Sequence, residues 1–123
     1  MKKSISPVSR WQSIRFAMNG IRSFFQSEPN AVVHLLSTVL VVLLSFLFTV
    51  TATEALVLVM VTGGVWMAEL FNTALEKAMD LVSKEKDPSI GFIKDVAAAA
   101  VLVSALTALV AGLLIFIPKI RLV

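Results

Sequence analysis

The chain has 123 residues, 58% of them hydrophobic and 15% charged, where soluble domains average about 45–50% and about 25%. This composition excludes a domain whose main solvent is water. It has no cysteine and a net charge of only +3, which removes disulfides and thiolate metal sites and predicts no nucleic-acid partner.

Residues 1–28 are basic but interrupted by Gln12, Asn19 and Gln26. No apolar stretch there ends in small residues, so no cleaved signal is expected and the N-terminus is expected to be retained. Within this segment Trp11, Ile14, Met18, Ile21 and Phe25 recur at spacings of three and four, with Arg15, Arg22 and Gln26 off the stripe. The pattern predicts an amphipathic helix. It either lies in the membrane interface with its arginines toward anionic headgroups or packs against the spans.

Residues 31–50 form a first apolar run, interrupted by His34 and hydroxyl residues, of the ~20 residues needed to cross a bilayer. After Thr51-Ala52-Thr53-Glu54 a second helix is predicted over 55–80, apolar to Leu70 and then polar as it extends into the cytoplasm. Residues 81–95, with Ser, Lys, Asp, Pro and Gly, read as a cytoplasmic loop. Residues 96–117 form a third span, closed by Pro118, Lys119 and Arg121. The fold class expected is therefore an all-α integral membrane protein, one domain with an N-terminal surface helix and three transmembrane helices.

Lys and Arg accumulate on cytoplasmic segments. Lys2, Lys3, Arg10, Arg15 and Arg22 precede the first span, and Lys77, Lys84, Lys86 and Lys94 lie between the second and third. Glu54 alone is charged between the first two spans. The N-terminus is expected inside and the C-terminus outside, with Lys119 and Arg121 as exceptions to the bias.

Glu69, Asn72, Glu76 and Asp80 are spaced three, four and four apart, which places them in a sector of about 80° on a helix. Carboxylates in hydrocarbon are costly and usually face a bundle interior or a wet cavity, where they carry function. Glu69 lies fifteen residues beyond Glu54, about 22 Å along the helix, in the cytoplasmic part of a ~30 Å layer. Glu76 is about 10 Å further, at headgroup level. A structural polar seam with Asn72 as interhelical glue is the plainer reading. Three acids on one face repel one another unless cations intervene, which favours a metal-bound polyanion. Glu28, Pro29 and Asn30 mark the junction before the first span, and His34 is expected to be a hydrogen-bonded interfacial residue rather than a ligand or proton carrier. Trp11 reads as an interface anchor, Trp66 as core filler and Gly63-Gly64 as a site of close helix packing. No Gly-x-x-x-x-Gly-Lys loop is present for a nucleotide.

These spacings resemble the prokaryotic diacylglycerol kinase family, small three-span membrane kinases that include undecaprenol kinases. The matched elements are Ala17-x-x-Gly20, Glu28-x-Asn30-x-x-x-His34, Glu69-x-x-Asn72-Thr73-Ala74-x-Glu76-x-x-x-Asp80 and Lys94-Asp95 followed by Ala97-Ala98, within residues 15–120. The resemblance implies a homotrimer in the bacterial inner membrane with sites between subunits. It implies Glu69 as general base on the lipid hydroxyl, and Glu28 and Glu76 as carboxylates holding Mg²⁺ at the phosphates of ATP. It further implies Lys94 and Asp95 as nucleotide contacts, Asn72 as a residue that orients the lipid or the base, and Asn30 and Ala98 as residues on the substrate side. This chain departs from the family pattern at Lys86-Asp87 before Pro88, at Phe92-Ile93 and at Ala99.

The expected reaction is ATP-dependent phosphorylation of a membrane lipid alcohol, for lipid recycling and envelope biosynthesis. The acceptor is diacylglycerol or undecaprenol; the Glu28-to-His34 pattern and the Ile117-Pro118-Lys119-Ile120 ending look more like the undecaprenol branch. A small proton-coupled transporter would also use an intramembrane Glu, typically nearer the midplane. A non-enzymatic scaffold would explain the spans but not the acidic stripe.

Overall fold

A computed structural model describes residues 7–121, and all four elements among them are helices: α1 (Pro7–Ser27), α2 (Asn30–Leu47), α3 (Ala52–Val82) and α4 (Pro88–Ile120). The chain divides into two compact units, residues 1–33 and 34–123.

In the first unit α1 ends where Glu28 N–H closes back on the Phe24 carbonyl. Pro29 then lets the chain restart at once, because a proline at a helix beginning lacks only an N–H that would be unpaired there. Ala31 and Val32 N–H groups bond the carbonyls of Glu28 and Pro29. Trp11, Ile14 and Met18 on the predicted stripe are well exposed.

In the second unit the three apolar helices α2, α3 and α4 are each long and apolar enough to cross a membrane. The α2 helix stops at Leu47, three residues before the end of the apolar run. Its end is wound by Val50 N–H on the Ser45 carbonyl, with Thr49 between them in the left-handed region (φ 47°). This is the Schellman arrangement that usually has glycine at the left-handed position. Thr51 then caps α3 reciprocally: its hydroxyl accepts from Glu54 N–H and the Glu54 carboxylate accepts from Thr51 N–H. Two satisfied donors at this point set where α3 starts.

The α3 and α4 helices run antiparallel and make the main helix–helix contact of the unit. Leu58 and Val65 of α3 and Ala97 and Phe116 of α4 are its buried apolar side chains. Ion pairs tie both ends of this hairpin, Glu54 to Lys119 at 2.9 Å and Asp80 to Lys94 at 2.5 Å. The α3 segment between Glu54 and Asp80 is about 39 Å long, against a hydrocarbon layer of ~30 Å. The apolar stretch thus lies between two charged pairs spaced more widely than the oil they bracket.

The loop expected over 81–95 is corrected to residues 83–87, because α4 begins at Pro88. Asp87 is the reason: its carboxylate accepts from Ser89 and Ile90 N–H, and Pro88 occupies the first helical position. Residues that read as a breaker are a helix start, and Lys94 and Asp95 consequently stand in the second turn of α4 rather than in a loop. Pro118 does not end α4 either; it sits in the last turn, and the helix closes with Arg121 N–H on the Ile117 carbonyl. The close packing expected at Gly63-Gly64 is not found among the described residues, since a Cβ at either position would meet nothing within 4 Å.

Thr49 is a β-branched residue held in the left-handed region, a conformation that costs about 1–2 kcal/mol outside glycine. Thr49→Gly should raise stability by about 1 kcal/mol, read as a higher midpoint in thermal unfolding of the protein in micelles; an unchanged or lower midpoint contradicts this account of the turn.

Candidate active site

The acidic stripe continues the packing face of α3. Leu58 and Val65 are buried on that face, Glu69 follows one turn later, and Asn72 and Glu76 are half-buried beyond it. The same register that turns apolar groups inward near Glu54 therefore turns polar ones inward near the other end.

Glu69 is 5% exposed and is the one buried charged or polar residue among those described. A buried carboxylate is expensive unless it is hydrogen-bonded or paired. Its partner is His34 on α2, with Nε2 2.7 Å from Oε1. The sequence reading had His34 as an interfacial hydrogen-bonding residue; the structure identifies the group it bonds. A second link lies one turn along each helix, where the Trp66 indole N–H donates to the Thr38 hydroxyl at 2.9 Å and that hydroxyl donates to the His34 carbonyl at 2.7 Å. The His34 ring meets the Trp66 ring edge-on at 6.1 Å. Trp66, expected as core filler, is thus a hydrogen-bonding residue between two helices.

Asn72 is one turn beyond Glu69, and its Oδ1 is buried without a hydrogen-bond partner. Buried acceptors in native proteins are almost always satisfied, and none of the described residues supplies this one. Glu76, two turns from Glu69, makes no ion pair with another described residue. Among the described residues no group of three or more His, Cys, Asp or Glu could hold a metal ion by itself. Mg²⁺ does not need such a group: it is commonly held by one or two carboxylates together with substrate phosphates. The half-buried Glu76 at headgroup depth fits that donor chemistry.

Lys94 is not free at the site, because it pairs with Asp80, the last acid of the stripe. The pair borders a cleft of 450 Å³ lined by Lys84, Lys86, Asp87 and Gly91 among others. Asp95 and Ala98 are exposed on α4. Glu28 is half-buried and Asn30 exposed at the α1–α2 junction in the first unit. Alongside the polar residues, an apolar groove of 420 Å³ lies between α2 and α3, from Phe46 and Ala55 at one end to Thr38 and Trp66 at the other.

The His34–Glu69 bond was discoverable in principle. Each residue is improbable in hydrocarbon, and they lie 14 residues before and 18 residues after the 48–51 turn, so an antiparallel pairing of the two helices brings them within about one turn of each other.

Trp66→Phe removes the indole donor and leaves the Thr38 hydroxyl without it. Interhelical hydrogen bonds in membranes average about 0.6 kcal/mol with a maximum near 1.7, so a loss of roughly 1 kcal/mol in reversible unfolding by denaturing detergent is expected. Wild-type stability in this variant would mean that the Trp66–Thr38 bond does not hold α2 to α3.

Residues 15–116 match the family described as prokaryotic diacylglycerol kinase. The chain is similar to the undecaprenol kinase of Bacillus subtilis (strain 168), 34% identical over 109 residues that cover 89% of each protein. It is also similar to a diacylglycerol kinase of Synechocystis sp., 33% identical over 107 residues, 86% of this chain and 61% of that one. Both relatives are named as lipid kinases, and neither supports the transporter reading.

Proposed function

The chain belongs to the prokaryotic diacylglycerol kinase family and is a multi-pass membrane lipid kinase, and we propose that Glu69 is the general base for its reaction and undecaprenol its acceptor. One observation carries the assignment of the base: Glu69 is the buried carboxylate of the described chain, held within the membrane helix by His34 at 2.7 Å. Phosphoryl transfer requires in-line positioning, neutralisation of the polyphosphate and a destination for the proton of the attacking hydroxyl. Depth distributes these tasks along α3. Glu69 stands within the oil, where a lipid alcohol resides, and Glu76 about 10 Å closer to the cytoplasm, where ATP arrives.

In this reading the lipid hydroxyl donates its proton to Glu69 as its oxygen bonds the γ-phosphorus of ATP. The bond from that phosphorus to the β-phosphate oxygen breaks, and ADP leaves. The unpartnered Asn72 Oδ1 accepts a hydrogen bond that orients either the lipid or the base. Glu28 and Glu76 are the proposed carboxylates for Mg²⁺, which when bound neutralises charge on the phosphates. Lys94 and Asp95 are the proposed nucleotide contacts. The cleft beside Lys94, with Lys84 and Lys86 on its wall, supports entry of a polyanion from that side. Asn30 and Ala98 remain proposed as lipid contacts on the family resemblance.

The preference for undecaprenol rests on the Glu28-x-Asn30-x-x-x-His34 pattern and on the near full-length match to the Bacillus subtilis enzyme. The apolar groove ending at Thr38 and Trp66 suits an extended hydrocarbon chain but does not discriminate between isoprenoid and acyl. A homotrimer with sites between subunits accounts for the open space at Gly63-Gly64 and for the orphaned Asn72 acceptor. An inside N-terminus is proposed from the distribution of Lys and Arg, and the bacterial inner membrane from the family resemblance. Pairing with Glu54 offsets Lys119, one of the two exceptions to that bias.

Purified protein in micelles with Mg²⁺ and labelled ATP should phosphorylate undecaprenol faster than diacylglycerol when both are offered side by side. The reverse order removes the acceptor assignment and leaves the kinase. Glu69→Gln should lower kcat by at least about 10²-fold, the lower range for a general base, with an unchanged elution volume in size-exclusion chromatography. Full turnover in that variant would sink the assignment of the base.

A further inference from the structure

We propose that His34 is a positioning residue for the phosphoryl transfer: its Nε2–H donates to Glu69 Oε1 and fixes the carboxylate rotamer, so that Oε2 faces the lipid hydroxyl. The proposal rests on the reading of Glu69 as the base and assigns the way that base is prepared.

Three observations carry it. The bond is short at 2.7 Å and shielded, with the side chains of His34 and Glu69 only 17% and 7% exposed. A hydrogen bond in such a place meets little competition from water and holds its two partners in one geometry. The His34 ring is itself held, edge-on to Trp66, and the backbone of its turn is tied to Trp66 through the Thr38 hydroxyl. Ring and carboxylate are therefore supported from the same two turns, His34 to Thr38 on α2 and Trp66 to Glu69 on α3. Finally, the contact occupies one carboxylate oxygen, and Glu69 has no other hydrogen bond from a described side chain, which leaves Oε2 for substrate.

The chemistry follows from the donor. A base must be ionised before the hydroxyl proton can move to it, and it must be aimed within hydrogen-bond reach of that proton. An Nε2–H on Oε1 supplies that aim without taking the proton itself. During transfer the lipid O–H proton moves to Oε2 of Glu69 while the O–P bond forms and ADP departs. His34 keeps its own proton throughout.

A merely structural His34 would hold α2 to α3 and nothing more, so the test reads kinetics together with assembly. In micelles with Mg²⁺, ATP and a lipid alcohol, His34→Leu should lower kcat by about 10–100-fold, the usual cost of losing an outer-shell partner. KM for ATP should be unchanged. His34→Gln, whose amide can donate from a similar distance, should restore most of the lost kcat, whereas the shorter His34→Asn should not. In a Glu69→Asp background, where the carboxylate is withdrawn from the ring, His34→Leu should cause no further loss, because partners in one unit are non-additive.

Wild-type kcat in His34→Leu, with Glu69→Gln inactive, overturns the proposal and leaves the base assignment standing. Full activity in Glu69→Gln removes both. A loss in His34→Leu that Gln does not rescue, or that adds in full to Glu69→Asp, assigns His34 to structure alone and also overturns it. If His34→Leu does not assemble, the comparison of His34→Gln with His34→Asn decides, and equal kcat in the two is the contrary result.

Discussion

A carboxylate inside a hydrocarbon layer costs several kcal/mol unless a partner meets it there, and the arrangement of α2 against α3 is organised around that requirement at Glu69. His34 supplies the partner at 2.7 Å, and Thr38 and Trp66 supply a second link one turn away. The wall between these helices is otherwise an open apolar groove of 420 Å³. Polar contacts of this kind are strong where water is excluded and harmful where left incomplete. The register of α2 on α3 is therefore set by polar groups rather than by apolar interdigitation. With one apolar solvent on every side, burying a leucine offers little preference for one register over another.

The α3–α4 hairpin solves a different problem, that of position along the membrane normal. Charged pairs at both of its ends, Glu54–Lys119 and Asp80–Lys94, resist entry into oil and so restrict axial sliding. Taking the Glu54–Lys119 pair as one boundary, Glu69 falls about 22 Å from it and the Asp80–Lys94 pair about 39 Å. The latter lies outside a ~30 Å layer. The proposed base is thus kept in the oil on the same rigid rod whose far end reaches water. A kinase that joins a lipid alcohol to a soluble nucleotide needs that fixed separation, and a single straight helix supplies it without a moving part.

The few buried apolar side chains fit a chain whose outer surface faces lipid or further protein. Leu58, Val65, Ala97 and Phe116 are the whole buried apolar set of the second unit among the described residues. The open pair Gly63-Gly64 and the unsatisfied Asn72 acceptor lie on the helix that carries the acids. Both features are what the proposed assembly with sites between subunits would use.

Much of this protein is legible from sequence because membrane constraints are severe. Apolar runs of nearly twenty residues have no alternative to helix in oil, so three long helices followed directly from composition. The acidic stripe followed from its three-and-four spacing, which any α-helix turns to one face. Local boundaries were less legible: Asp87-Pro88 can stop or start a helix, and only the bonds from Ser89 and Ile90 to the Asp87 carboxylate decide for a start. What tertiary structure alone decided was the partnership of residues distant in sequence. His34 could be recognised as unusual but not assigned to Glu69, and Lys119 read as an exception to charge asymmetry until it stood beside Glu54. Helix periodicity acts over a few residues and is written in the chain. The depth at which two helices meet depends on where the turn between them closes, and a left-handed threonine set that.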